Sequence, residues 1–291
     1  MKYPTSPTPS ESGSMLSGYS FRSGRSHLPR PATANLCTSA TSKTTKYLRR
    51  LIKFRQMDFE FALWQMLYLF VSPQKVYRNF GYRKGRRGFR KGDSFFHTLM
   101  IVLETKSQFA RDDPAFLVLL LASLCFTSFG FVFLFHLGFF QTVYFILYVV
   151  FVDFLLVGVV TATIMWLISN KFMREPSSEC VEWGYSFDVH INAQFPPLII
   201  LHFFMLIFYK LLFSQEWFVA RLLGNTLWLL ATGYYYYITF LGYNCVPQLK
   251  KPRTKLILAL MPITALFYVM TIIIGWNLNV SLMNFYHYRV L

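Results

Sequence analysis

Charged residues are scarce in this chain, and their scarcity is the first indication of its class. Only 14% of the 291 residues are Asp, Glu, Lys or Arg, whereas 54% are hydrophobic and 19% are aromatic. A soluble domain of this length carries about a quarter charged residues. So few charges in so long a chain argue against an ordinary soluble protein and indicate a membrane protein.

Motifs that carry common chemistries are also missing. The chain has no P-loop, no G-x-G-x-x-G, no H-E-x-x-H and no G-x-S-x-G, which argues against a pump or a hydrolase. The four cysteines are scattered, and no two of them have the C-x-x-C spacing of a zinc or redox site. We therefore expect a protein that is not an enzyme, with no catalytic residue, no metal and no cofactor. No apolar run lies close to Met1, so we expect no cleavable signal peptide.

The charges that are present concentrate in the N-terminal part. Residues 1–114 hold 20 of the 29 Lys and Arg but only 7 of the 13 Asp and Glu, which gives this part a net charge of +13. Residues 1–45 are rich in Ser, Thr and Pro and have no apolar run, so their composition predicts a disordered cytosolic tail. Residues 46–114 are predicted to be a basic cytosolic region.

An amphipathic segment, residues 46–72, opens this basic region. Its apolar run, Phe61 to Val71, is too short to span a membrane, since a crossing helix needs about 20 residues. The pattern predicts a helix lying in the membrane interface. The alternative is a helix packed on a cytosolic partner or on the protein's own helices, because the same pattern serves both. The predicted membrane-surface or partner platform consists of Lys46, Arg49, Arg50, Lys53, Arg55 and Trp64.

A second basic stretch follows, in which Lys and Arg are interleaved with aromatic residues. Such a mixture suits single-stranded RNA, through phosphate attraction and base stacking. It equally suits anionic lipid headgroups. The candidate RNA or lipid contacts are Arg78, Arg83 and Lys84, with Arg86, Arg87, Arg90 and Lys91 beyond them.

Five apolar segments predict an all-α membrane domain over residues 115–276. Each is long enough to cross a hydrocarbon core of about 30 Å, and backbone groups in lipid must be satisfied within the segment, which predicts helices. Residues 277–291 are then predicted to be a lumenal tail. The predicted spans are Ala115–Leu137, Gln141–Ser169, Phe195–Phe213, Trp217–Tyr243 and Leu256–Trp276.

The distribution of Lys and Arg predicts the orientation of these spans. With the N-terminus in the cytosol, the short connections at 170–192 and 246–255 are cytosolic and hold six basic residues. The connections at 138–140 and 214–216 hold none. Because cytosolic loops carry the excess of basic residues, the N-terminus is predicted to be cytosolic and the C-terminus lumenal.

Few polar side chains fall inside the predicted spans, and Asp153, His202 and Asn225 are the ones we single out. A carboxylate at the bilayer midplane costs about 3 kcal/mol on insertion scales, so Asp153 should face the bundle interior. Two interpretations are open, an interhelical hydrogen bond or a proton or ion relay. A single isolated acid favours the first, with His202 or Asn225 as its partner.

The predicted cytosolic loop at 170–192 contains Trp183, Asp188 and His190. An acid two residues from a histidine is compatible with metal binding or general base catalysis. No second His or Cys accompanies the pair at ligand spacing, so the favoured interpretation is a folded cytosolic cap with Trp183 at the interface.

Several long stretches, in order along the chain, resemble one known family, the Unc-fifty family, whose fungal member is a Golgi membrane protein homologue. They cover about residues 46 to 291. Residues 1–45 have no counterpart that we recognise, and residues 85–104 look inserted, as a lineage insertion or a retained intron. The stretches are LIKFRQMDFEFALWQMLYLFVSPQKVYRNF, ARDDPAFLVLL, MWLISNKF, VEWGYSFDVHINA, GNTLWLLATGYYYYITFLGY and FYHYRV.

The resemblance implies a five-span adaptor of the Golgi and early secretory pathway, active in vesicular protein transport. It implies binding and recruitment of a large Arf guanine-nucleotide exchange factor. It also implies support for cell-surface trafficking of receptor cargo such as nicotinic acetylcholine receptors. The alternative that the family implies is an RNA-binding protein of the inner nuclear membrane. The expected partners are therefore the exchange factor, receptor cargo, anionic lipids and RNA.

Overall fold

The structure, a computed structural model, describes Leu51, residues 57–78 and residues 113–290. Regular structure within these residues is helical, apart from one isolated β-bridge between Arg174 and Leu249. The predicted all-α class is therefore confirmed for this part of the chain. The predicted tail, the basic platform residues Lys46, Arg49, Arg50, Lys53 and Arg55, the candidate contacts Arg83 and Lys84, and the segment 85–104 lie outside the described residues.

The helices are named α1 to α7 in chain order. Helix α1 is followed by a helical turn at 73–78, and α3 and α4 each contain two stretches of wider π-type turns. The bounds are Phe59–Val71 for α1, Ala115–Phe135 for α2, Phe139–Met173 for α3, Trp183–Phe213 for α4, Phe218–Asn244 for α5, Lys251–Ile274 for α6 and Leu278–Val290 for α7.

Four helices, α2, α3, α4 and α6, are long and apolar enough to cross a membrane. This confirms a multi-pass membrane domain. Helix α5 has 27 residues, or about 40 Å at 1.5 Å per residue, but it is less apolar because it carries Arg221, Asn225 and four consecutive tyrosines. The crossing of α5, and with it the count of five spans, stays a prediction.

The packing of α5 supports that prediction, because α5 runs antiparallel to α4 and α6 over their length. In its first turns, the Arg221 guanidinium donates to the carbonyl of Gly275 at the end of α6, at 3.0 Å. At its far end, the Gly242 carbonyl accepts from the hydroxyl of Tyr185, in the first turn of α4, at 2.5 Å. A Cβ on Gly242 would come within 2.8 Å of Val189, so glycine permits this close approach. If α4 and α6 cross the membrane, α5 is therefore expected to cross it with them.

Two helices extend beyond the predicted spans. Helix α3 continues beyond Ser169 to Met173, and α4 begins at Trp183, twelve residues before the predicted Phe195. The polar sequence of residues 183–194 is typical of a loop, yet most of it is buried among neighbouring helices. Its polar side chains lie inside the protein, so hydropathy alone could not identify it. The predicted 170–192 loop therefore shrinks to residues 174–182.

The residues of the predicted lumenal tail form α7 and pack back on the bundle, which the sequence did not indicate, and their lumenal location stays a prediction. Gly275 ends α6 in the left-handed region, at φ +79°, and reverses the chain. Met283 and Tyr286 are then only 2% and 4% exposed. The ring of Tyr286 lies 5.4 Å from that of Phe145 in α3 and 5.8 Å from that of Phe131 in α2, measured between centroids.

Cysteine labelling tests the crossing of α5. Glu216 and Pro247 are both exposed and lie at opposite ends of α5. In a variant without the native cysteines, we expect Pro247→Cys in sealed microsomes to react with a membrane-impermeant maleimide. Glu216→Cys should react only after permeabilisation, since it is predicted to be lumenal. Equal labelling of the two positions in sealed vesicles would show that α5 does not cross.

The sequon Asn279-Val280-Ser281 is predicted to stay unglycosylated, although it lies on the side predicted to be lumenal. Its asparagine is fully buried, and the indole N–H of Trp228 donates to its Oδ1 at 2.8 Å. A transferase needs an accessible side chain. Treatment with an N-glycosidase should leave the electrophoretic mobility unchanged, and a shift that disappears in Asn279→Gln would contradict the buried position.

Candidate functional site

Most of the described basic residues collect at one end of the bundle, which we call the basic end. Helices α3 and α5 end there, and α4 and α6 begin there. The opposite end has Lys210 and Arg221. The basic end carries Lys171, Arg174, Lys250, Lys251, Arg253 and Lys255, with the acids Glu175, Glu179 and Glu182 among them.

Backbone hydrogen bonds join the two loops of the basic end into one surface. The N–H of Lys250 donates to the carbonyl of Met173 at 2.8 Å, and that of Glu175 donates to the carbonyl of Gln248 at 2.9 Å. The Arg253 guanidinium donates to the carbonyl of Phe172 at 2.5 Å. Two connections that are far apart in sequence therefore present their charges as one face.

An apolar cluster under these loops holds them in place. Asn170 clamps the first loop: its Oδ1 accepts from the N–H of Val181 at 2.8 Å, and its Nδ2 donates to the carbonyl of Val181 at 3.1 Å. Burying each aliphatic side chain contributes about 1.5–3 kcal/mol relative to exposure. The buried members of the cluster are Met173, Val181, Tyr185, Val189, Tyr243, Val246, Leu249 and Ile257.

Helix α1 packs one face on the protein's own helices, as the alternative interpretation of this segment expects. Its buried residues are Ala62, Gln65, Met66 and Leu69. The carboxamide of Gln65 donates to Oδ1 of Asn192 in α4 at 3.3 Å. The side chain of Asp58 caps the helix by accepting from the N–H of Phe61, and the helix ends at Val71, before Pro73.

The other face of α1 is apolar and exposed. Leu63, Leu67 and Val71 are 56%, 62% and 73% exposed. Trp64 lies half-buried between Phe61 and Tyr68, with ring centroids at 5.8 and 4.5 Å. The placement of this face in the membrane interface stays a prediction. Of the candidate RNA or lipid contacts, Arg78 is described, and it is exposed just after α1.

The run of four tyrosines in α5 serves packing, and its members contact different neighbours. The hydroxyl of Tyr234 donates to the carbonyl of Phe70 at 3.1 Å, and that of Tyr237 accepts from the carboxamide of Gln74 at 2.7 Å. Tyr235 bonds instead to a histidine of α4, at 2.9 Å. The sequence did not identify these tyrosines as the anchors of α1, because nothing in their spacing singles out one partner.

Trp183, Asp188 and His190, predicted to lie in a folded cytosolic cap, all lie on helix α4. Asp188 and His190 are buried, and Nδ1 of His190 lies 2.9 Å from the hydroxyl of Tyr235. Trp183 is 38% exposed, stacks on Phe187 and donates to the hydroxyl of Thr163 at 3.0 Å. No group of three or more potential metal ligands occurs among the described residues.

The predicted intramembrane polar residues separate into two locations. Asn225 is fully buried at the corner between α6 and α7, away from the other two. Its Nδ2 donates to the carbonyl of Trp276 at 2.8 Å and to the hydroxyl of Thr271 at 3.1 Å. Its Oδ1 accepts from the N–H of Leu278 at 3.1 Å. Asn225 therefore fixes the turn that sends α7 back into the bundle.

Asp153 and His202 line one cavity of about 290 Å³ inside the bundle. Each lies in a stretch of π-type turns, Tyr148–Leu156 in α3 and Ile199–Phe204 in α4. Pro196 and Pro197 precede the second stretch. Proline removes a backbone donor, and local π turns re-pair the groups that it frees.

The predicted partner of Asp153 was His202 or Asn225. This detail is wrong, because the partner is Tyr286 of α7. The hydroxyl of Tyr286 donates to the Asp153 carboxylate, and Arg289 adds a favourable positive charge. Oδ2 of Asp153 and Nδ1 of His202 are buried and have no hydrogen-bond partner in the described part of the chain. The sequence could not predict Tyr286, because residues 277–291 look like a polar tail.

These features define a helical, multi-pass membrane protein with a cohesive basic end and an internal cavity that contains polar groups. The chain belongs to the UNC-50 family, whose model matches residues 47–287. This confirms the resemblance seen in the sequence.

Relatives agree with this assignment. The chain is 56% identical over 294 residues to "Protein unc-50 homolog" of Drosophila melanogaster, covering 100% of this chain and 98% of that protein. That match extends over residues 1–45, for which we expected no counterpart. Identity is 51% to "Protein unc-50 homolog A" of Xenopus laevis and 50% to the human "Protein unc-50 homolog", each over 254 residues, 87% of this chain and 90% of the relative. No solved structure matches.

Asp153 is predicted to be structural, and two substitutions test this. Asp153→Asn should preserve fold and location, since an amide oxygen can still accept from Tyr286. Asp153→Leu should destabilise the protein by about 1 kcal/mol, the usual worth of one hydrogen bond. Thermal unfolding in detergent measures both effects. Loss of function in a stable and correctly located Asp153→Asn protein would contradict a purely structural role.

Proposed function

We propose that this protein is a non-enzymatic Golgi membrane adaptor that recruits a large Arf guanine-nucleotide exchange factor through its basic end. The N-terminus and the basic end face the cytosol, so that a soluble factor can reach them. The protein thereby supports vesicular transport, including delivery of receptor cargo such as nicotinic acetylcholine receptors to the cell surface.

The observation that carries this proposal is the cohesion of the basic end. A docking surface for a soluble partner must keep a fixed shape, because ordering loose loops on binding costs affinity. Backbone bonds between residues 173–175 and 248–250, with the bond from the Arg253 guanidinium to the carbonyl of Phe172, already order the loops. The excess of basic over acidic residues suits an acidic partner surface and favours rapid association.

Helix α1 adds a membrane-facing component to this surface. Its buried face fixes it to α2 and α4, and its exposed face presents Leu63, Leu67 and Val71. Basic residues precede and follow α1 in the sequence. Together with the apolar face they suit the anionic cytosolic leaflet, whose attraction contributes about 1 kcal/mol of binding free energy for each Lys or Arg near the surface. In this arrangement α1 lies at the leaflet beside the docking face.

Charge reversal before α1 tests the platform. Arg49→Glu with Arg50→Glu should leave the membrane domain inserted, because insertion depends on hydropathy. Recruitment of the exchange factor to Golgi membranes should fall, and membrane binding of a 46–72 peptide should weaken as salt rises. Normal recruitment by the double variant would exclude this segment as the docking platform.

Charge reversal in the joined loops tests the other half of the surface. Lys171 and Lys251 are exposed and lie on opposite sides of the loop junction, so Lys171→Glu with Lys251→Glu should reduce recruitment while the protein stays folded. The matched control is Glu216→Lys, a charge reversal at the opposite end, which should leave recruitment unchanged. Equal effects of the loop variant and the control would contradict docking at the basic end.

A further inference from the structure

The cavity between α3, α4 and α7 combines an apolar wall with unpaired polar atoms. Leu124, Val149, Phe154, Leu198 and Leu201 form much of the wall, and Gln194 and Trp228 lie on it as well. Oδ2 of Asp153 and Nδ1 of His202 have no hydrogen-bond partner among the described residues. Small-molecule sites have this composition, with mostly apolar lining and a few convergent polar groups.

The cavity reaches the outer surface of the bundle on the side that faces lipid. Two of its lining residues, Val157 of α3 and Phe285 of α7, are 49% and 42% exposed. Val157 lies in the middle of a candidate membrane span, so its exposed surface meets hydrocarbon and not water. An occupant therefore enters from the bilayer, and its remaining apolar part can stay in the lipid.

The polar groups of the cavity favour an uncharged hydroxyl as the occupant's head. A hydroxyl offers one donor and two acceptor positions, so it can donate to Oδ2 of Asp153 and also bond to His202. A cationic head is disfavoured, because Arg289 already places a positive charge near Asp153 and a second charge in the hydrocarbon core is costly. The volume of about 290 Å³ corresponds to roughly ten water volumes, enough for a head and its first ring or carbons.

We propose that this cavity binds the hydroxyl head of a neutral membrane lipid, with Asp153 and His202 holding the hydroxyl and Tyr286 of α7 closing the site. A sterol and a diacylglycerol carry the same head chemistry and are the two sources to distinguish. The site is separate from the basic end and does not depend on the proposed adaptor function.

Photolabelling of the full-length protein in phosphatidylcholine vesicles tests this site. The probes are a photoactivatable sterol and a photoactivatable diacylglycerol, each with the unlabelled lipid as competitor. We expect one probe to label peptides of α3 or α7 near Val157 and Phe285, and the matching competitor to reduce the label. The probe that labels identifies the lipid.

A pair of tryptophan substitutions controls for labelling of the lipid-facing surface in general. Val157→Trp fills the mouth of the cavity and should reduce labelling about tenfold, the loss expected for one buried hydrogen bond with its contacts. Val160→Trp is the matched control, because Val160 is 50% exposed on the same helix and does not line the cavity. Its labelling should be unchanged.

Size-exclusion chromatography checks that both variants fold, and if Val157→Trp does not, Leu201→Phe narrows the same cavity from α4 and should have the same effect. Equal labelling of the blocked and control variants overturns the proposal. Absence of competable labelling by either probe also overturns it and means that the cavity holds water alone.

Discussion

Hydrocarbon offers no hydrogen-bond partner, so a polar group within the membrane domain is stabilised where the protein itself supplies a partner. That constraint explains the most unusual parts of this structure. Helix α5 is the least apolar of the long helices, yet it lies between α4 and α6, where its side chains have partners. Asn225 bonds to the corner after α6, and Tyr235 bonds to His190 of α4. The polar residues of α5 therefore match its position between α4 and α6.

The same constraint separates what hydropathy could predict from what it could not. The apolar helices α2 and α6 face lipid over much of their surface, and their predicted spans overlap the observed helices closely. The first third of α4 and the whole of α7 were missed, because both are polar in sequence although each buries one face in the bundle. The burial of Tyr286 and the partnership of Gln65 with Asn192 join residues far apart in the chain. Such pairs depend on tertiary packing, which one sequence does not reveal.

The sequence predicted single residues of the candidate sites but not how they are arranged. Asp153 and His202 were identified individually, since polar residues in an apolar span are conspicuous. Their shared cavity depends on π-type turns and on α7, and neither has a signature in the sequence. At the basic end, the count of Lys and Arg predicted which loops lie together on one side. It could not predict that backbone bonds would join residues 173–175 to residues 248–250.

Helix α4 connects the two sites and gives a physical route by which one could influence the other. Its first turns carry Tyr185 under the basic end, and its π-type stretch carries His202 in the cavity. Pro196 and Pro197 lie between them, where missing backbone donors make a helix easiest to bend. An occupant of the cavity would shift the basic end only if it bound two arrangements of α4 with different affinity. An occupant with equal affinity for both would fill the cavity, satisfy Asp153 and His202, and leave the docking face unchanged.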